Sequence, residues 1–129
     1  MEYREFYNGV KIPMLGFGVY QIPEYEAAKK AVLTALKTGY RLIDTAQSYM
    51  NEKAVGDAIK ESGIPREEIF ITTKLWIQDF SYDGAIKATE LSMERLSVEY
   101  IDLMLLHQPM GDYINAWRGL EKLYQEGKL

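Results

Sequence analysis

The chain has 129 residues, 47% of them apolar and none of them cysteine, and its 15 Lys+Arg against 19 Asp+Glu give a formal net charge of -4. That length is one compact domain, and the acidic balance without any run of Lys or Arg lacks the footprint that a phosphate backbone requires, which excludes nucleic acid as the expected partner. Lack of cysteine excludes disulfide frameworks, thiolate nucleophiles and zinc ribbons, no apolar run reaches the about 18 residues of a membrane span, and the N-terminus has no apolar signal core, so the expectation is a soluble, cytoplasmic protein.

In chain order, Tyr3 to Phe6 and Val10 to Ile12 flank Asn8-Gly9, the dipeptide suited to the two positive φ values of a type I′ turn, which predicts a short hairpin. After it, short apolar runs alternate with longer amphipathic stretches. Met14 to Gly18 precedes a helix over Tyr25 to Thr38, in which Ala28, Val32, Ala35 and Leu36 keep helical spacing and Gly39 supplies the left-handed end. Arg41 to Asp44 precedes a helix over Asn51 to Glu61, with Asn51 as its cap and Gly63 and Pro65 as its stop. Ile69 to Lys74 precedes a helix over Tyr82 to Leu96. Ile101 to Leu106 precedes a helix over Tyr113 to Glu126, where Ile114, Trp117, Leu120, Leu123 and Tyr124 form one apolar face and Trp117 is assigned to the core. The nearly continuous apolar character of Ile101 to Leu106 suits a parallel strand covered on both faces, so the pattern reads as a parallel α/β sheet without an internal domain boundary.

Three ionisable residues follow three of these strands: Asp44, Lys74 and His107. They are spaced by about one βα unit, which places them at the carboxyl edge where parallel α/β proteins build sites. Side-chain alternation puts Asp44 on one face with Leu42, Lys74 with Phe70 and Thr72, and His107 with Leu103 and Leu105. Asp44 and Lys74 are then placed to pair at the mouth of an apolar interior, where neither is stable alone. Tyr49 lies in the loop after Asp44, close enough in sequence to bring a phenol beside the ammonium. A cation there lowers a phenol pKa that starts near ~10 and makes a general acid usable at neutral pH. On spacing alone, the pair also reads as an ordinary strand-end salt bridge and the single histidine as a structural one. Gly16-Phe17-Gly18 lacks the third glycine of a dinucleotide fingerprint, and one His without Cys gives no metal site.

Taken together, Gly16-Phe17-Gly18-Val19-Tyr20-Gln21, Gly39-Tyr40-Arg41-Leu42-Ile43-Asp44-Thr45-Ala46-Gln47-Ser48-Tyr49, Ile71-Thr72-Thr73-Lys74-Leu75-Trp76 and Tyr100-Ile101-Asp102-Leu103-Met104-Leu105-Leu106-His107-Gln108-Pro109 resemble the aldo-keto reductase family in order and spacing. The resemblance implies an N-terminal β-hairpin (residues 1–13) followed by four βα units (14–129), a parallel (βα)4 half of a TIM-type (β/α)8 barrel. It implies NADP(H)-dependent reduction of aldehydes or ketones to alcohols. By position, Tyr49 resembles the general acid, Lys74 held by Asp44 the group that lowers its pKa, and His107 the residue that orients the carbonyl. Gly18, Val19, Tyr20 and Asp44 match positions beside the nicotinamide of NADPH, and Tyr20, Trp76 and His107 match positions that meet a small carbonyl substrate.

The sequence runs to Glu126-Gly127-Lys128-Leu129, where the family enters its fifth strand. The family's other half supplies residues that stack on the nicotinamide and loops that bind the phosphates, so the reading is of a truncated chain whose activity depends on assembly. Four strands covered on one side leave Leu42, Phe70, Leu103 and Leu105 facing water beside two unpaired edges, which predicts association with itself, as a homodimer or higher oligomer, through the open face or the edges. The alternative is a catalytically silent relative that acts as a self-associating or interaction protein.

Overall fold

The computed structural model describes residues 1–129. A hairpin opens the chain, with β1 (Tyr3–Glu5) antiparallel to β2 (Lys11–Pro13). Its turn differs from the expected two-residue type I′ form, because Gly9 alone takes a positive φ, +82°. Asn8 instead uses its side-chain oxygen to accept the Val10 N–H at 3.2 Å, while the Phe6 N–H reaches Val10 O and the Gly9 N–H reaches Phe6 O. A short polar side chain that satisfies the backbone locally removes the need for a second left-handed residue.

Four βα units follow: β3 (Gly16–Gly18) and α1 (Tyr25–Thr38), β4 (Leu42–Asp44) and α2 (Glu52–Ser62), β5 (Phe70–Leu75) and α3 (Tyr82–Leu96), β6 (Leu103–Leu106) and α4 (Tyr113–Gln125). The strands pair in parallel in the order β3-β4-β5-β6. Helix ends follow the sequence in part. The Glu24 carboxylate caps α1 through the Glu26 and Ala27 N–H groups, and Gly39, at φ +117°, closes it. Asn51 precedes α2 as expected but makes no capping bond with its side chain, which is committed elsewhere. No helix is long and apolar enough to cross a membrane.

Alternation along the strands sorts the two faces of the sheet. Ile43, Ile71, Thr73, Leu75 and Met104 point toward the helices and are buried with Val32, Leu36, Val55, Leu96 and Leu120. On the opposite face Leu42 and Leu103 are half-buried and Leu105 is exposed. Phe70 corrects the expectation for that face, since it is buried. Tyr3, Val10 and Pro13 of the hairpin share a cleft with Ile69, Phe70 and Asp102, so the hairpin lies across the N-terminal ends of the strands and shields the first inward side chain of β5.

Trp117 is a second correction. It is 54% exposed, because the apolar residues of α4 divide between two faces: Ala116, Leu120 and Leu123 are buried against the fold, whereas Tyr113, Trp117 and Tyr124 run along a flank that stays about half exposed. A single apolar stripe in sequence is here wider than the surface available to it.

Helices α2 and α3 pack at very close range, and a Cβ placed on Gly56 would lie 2.4 Å from the main-chain oxygen of Leu96. Backbone cannot yield there as a flexible side chain would. Gly56→Ala is therefore expected to destabilise the fold by about 1–3 kcal/mol, seen as a lower midpoint in thermal or urea unfolding, and an unchanged midpoint would disprove the close approach.

Candidate active site

Parallel register brings the strand ends level. Gly18 pairs with Asp44, Asp44 with Thr72 and Thr72 with Leu103, and two residues further Lys74 pairs with Leu105. Asp44 and Lys74 consequently leave adjacent strands on the same face, and His107 follows β6 with its N–H held by Leu75 O at 3.0 Å. The Lys74 ammonium forms an ion pair with Asp44 Oδ1, donates to Thr45 O at 2.9 Å and reaches Tyr49 Oη at 3.5 Å. These contacts use all three ammonium donors.

Tyr49 ends a short 3₁₀ turn, Gln47–Tyr49, which Met50 closes in the left-handed region at φ +59°. Aromatic rings surround it. Tyr20 lies with its centroid 5.1 Å from that of Tyr49, His107 stands edge-on at 5.7 Å, and Trp76 stands edge-on to His107 at 5.3 Å. The Lys74 ammonium is also 4.9 Å from the Tyr49 ring centroid. Asp44, Lys74, Tyr49, His107, Tyr20 and Trp76 are thus one cluster at the carboxyl edge. Burial is the main influence that pushes the His107 pKa below its ordinary value; the positive charge of Lys74 adds to it and Asp44 opposes it.

The remaining predicted positions divide. Gly18 is exposed, and a Cβ there would meet nothing, so the ledge beside Asp44 is open to a ligand. Val19 is fully buried, with its N–H given to Asp44 O and its carbonyl accepting from Asn51, so it forms the wall behind that ledge without a free group of its own.

Three residues that the sequence reading did not assign to the site hold it together. Asn51 donates to Val19 O and Ile22 O, 3.0 Å each, and accepts the Thr45 hydroxyl at 2.6 Å, joining the loops after β3 and β4. Gln47 accepts the Trp76 N–H at 3.1 Å and donates to Ala88 O and Ser92 Oγ, joining the β4 loop to the β5 loop and α3. Glu52, with its side chain 2% exposed, accepts from Thr73 Oγ1 at 2.6 Å, Ser92 Oγ at 3.2 Å and Arg95 at 3.4 Å. One signal was available in the sequence: Glu52 shares a helical stripe with Val55 and Ile59, so its carboxylate sits on an apolar face and needs buried partners.

Residues 14–129 match the Aldo/keto reductase family. The chain is 48% identical over 126 residues to glyoxal reductase of Bacillus subtilis, covering 97% of this chain and 46% of that protein. The crystal structure of an aldo/keto reductase from Brucella melitensis superposes with a TM-score of 0.95 at 45% identity, over 98% of this chain and 50% of that one. A Bombyx mori aldo-keto reductase in complex with NADP superposes at 0.92 and 32% identity, over 98% of this chain and 48% of that one. The chain spans about half the length of the relatives it matches, and its hairpin and four βα units correspond to the N-terminal half of their barrel.

Histidine occurs once in the sequence, so its titration can be followed alone. The imidazole is expected to titrate below the ordinary 6.5 by proton NMR. Since the folded state then favours the neutral ring more than the unfolded chain does, this group leaves stability intact above about pH 6.5 and reduces it as the pH falls through that value toward the lower folded pKa. A folded-state pKa at or above 6.5 would contradict the placement of the ring.

Proposed function

The chain belongs to the aldo/keto reductase family, and on that premise we propose that its strand-end cluster performs the proton chemistry of an NADP(H)-dependent reduction of aldehydes or ketones. The observation that carries the reading is the Lys74 ammonium held between Asp44 and Tyr49 Oη. Tyr49 gives its phenolic proton to the carbonyl oxygen as the carbon is reduced, and the adjacent ammonium stabilises the phenolate charge left behind. Asp44 keeps the ammonium in place and balances it between turnovers. His107, neutral at pH 7, offers a ring nitrogen to the carbonyl, and Tyr20 and Trp76 supply apolar walls for a small substrate.

NADPH, when bound, supplies the hydride. The open ledge at Gly18 beside Asp44, with Tyr20 next to it, fits the nicotinamide end of such a molecule. For its phosphates the four loops at this edge, residues 19–24, 45–51, 76–81 and 107–112, contain no lysine or arginine. Tight cofactor binding therefore depends on groups additional to these loops. Fluorescence titration with NADPH, combined with turnover of a small aldehyde, tests the reading. Tyr49→Phe is expected to retain cofactor binding while lowering kcat by about 10²-fold or more, the size of a general-acid contribution. No NADPH binding at millimolar cofactor, on material of known mass, would refute it.

A specific observation favours self-association as a second element of function. Tyr113, Trp117 and Tyr124 form a half-exposed flank of α4, and Trp117 and Tyr124, with Phe6, Val10 and Leu103, border an apolar groove of about 560 Å3 beside the free edge of β6. Burying such a flank and edge against a second copy removes both liabilities at once. Light scattering after size exclusion is expected to give at least a dimer, and Trp117→Glu to shift it toward monomer. A monomeric wild-type chain would end this proposal.

A further inference from the structure

The two ring nitrogens of His107 have different surroundings. Nδ1 faces the hydroxyl of Ser48 at 3.4 Å, and Nε2 makes no hydrogen bond within the protein. Ser48 makes no other side-chain hydrogen bond, and it sits between Gln47 and Tyr49 in the same short turn. Its position is fixed from both sides, because Gln47 is tied to Trp76 and α3 while Tyr49 packs against Tyr20 and Lys74. The hydroxyl is therefore presented to the histidine by the most extensively anchored loop of the site.

A neutral imidazole carries one proton, and the partner of one nitrogen decides what the other can do. A carbonyl or carboxylate at Nδ1 would draw the proton there and leave Nε2 an acceptor, unable to bind a carbonyl oxygen. A hydroxyl, unlike either of these, can donate to Nδ1, and a bond in that sense exists only while the ring proton is on Nε2. We propose that Ser48 is a positioning residue whose hydroxyl donates to Nδ1 of His107 and keeps the ring proton on Nε2, the nitrogen left free for a substrate oxygen. This assignment deepens the reductase reading and rests on it for the meaning of the free nitrogen. The tautomer itself is a property of the chain alone, measurable without cofactor or turnover.

Nitrogen-15 NMR of the imidazole at about pH 8, where an ordinary histidine is neutral, reads the two nitrogens directly, and the single histidine removes any assignment problem. The wild-type chain is expected to show Nε2 in the protonated range and Nδ1 in the acceptor range. In Ser48→Ala the two shifts should converge, with the ratio of tautomers falling about fivefold, the equivalent of one ordinary hydrogen bond. Ser48→Thr keeps the hydroxyl and should restore the separation. A merely structural role would leave the ratio unmoved. A wild-type ring protonated on Nδ1, or an unchanged ratio in Ser48→Ala, would overturn the proposal. The NADPH titration tests the reductase reading separately, so either can fail while the other stands.

Discussion

Lys74 is the penultimate residue of β5, with its side chain only 13% exposed, too far from bulk water for an ammonium to be stable on its own, and the neighbouring strand and turn are arranged around its three donors. Asp44 neutralises it, Thr45 O accepts from it, and Tyr49 Oη takes the remaining direction. All three partners come from one stretch of chain, the end of β4 and the turn after it. Parallel pairing of β4 with β5 is what makes this possible, since it aligns strand ends that are thirty residues apart in sequence. Breaking the pair at either end would leave an uncompensated charge in a half-dry site, so the electrostatics and the register constrain each other.

Stiffness in that stretch comes from polar side chains turned inward. Thr45 and Asn51 close the turn on itself and tie it to β3's loop, Gln47 ties it to Trp76 and α3, and Glu52 anchors the start of α2 against Thr73, one residue from Lys74. Each of these groups is buried or half-buried, and each finds a partner, which is the condition under which polar groups rigidify a fold rather than weaken it. The result is a phenol whose position is determined from three adjacent loops. Transition-state stabilisation requires such preorganisation, because a donor that must be reoriented during reaction loses part of its benefit.

The sequence exposed the parts of this arrangement that repeat. Helical and strand periodicity, the glycines at helix ends and the ionisable residues after successive apolar runs were sufficient to place all four βα units, and the structure agrees closely at Tyr25–Thr38 and Tyr82–Leu96. What periodicity does not carry is the destination of an individual polar side chain. Asn51 in front of a helix has the chemistry of a cap, and only three-dimensional proximity to Val19 O and Ile22 O diverts it. Likewise, the apolar spacing of α4 predicts burial for Trp117, yet burial needs a neighbouring surface as well as a spacing. Phe70 erred in the opposite direction, since a hairpin far from it in sequence covers it.

Two requirements of a reductase are separated by this architecture. The groups proposed to handle the proton lie within residues 44–107: the ion pair, the phenol and the imidazole form one connected chain of contacts inside the four βα units. Grip on a large anionic cofactor is a different matter, because the site's one cation, Lys74, is already committed to Asp44, Thr45 and Tyr49. An ammonium neutralised in this way has little charge left to offer a phosphate. Any surface that covers the open side of the sheet would also exclude water from the mouth, where Asp44 is still 33% exposed, and would strengthen the same electrostatic contacts that the chain has already formed. The geometry of the proposed acid catalysis and its strength thus have distinct origins: register and buried polar ties set the first, and coverage of the mouth sets the second.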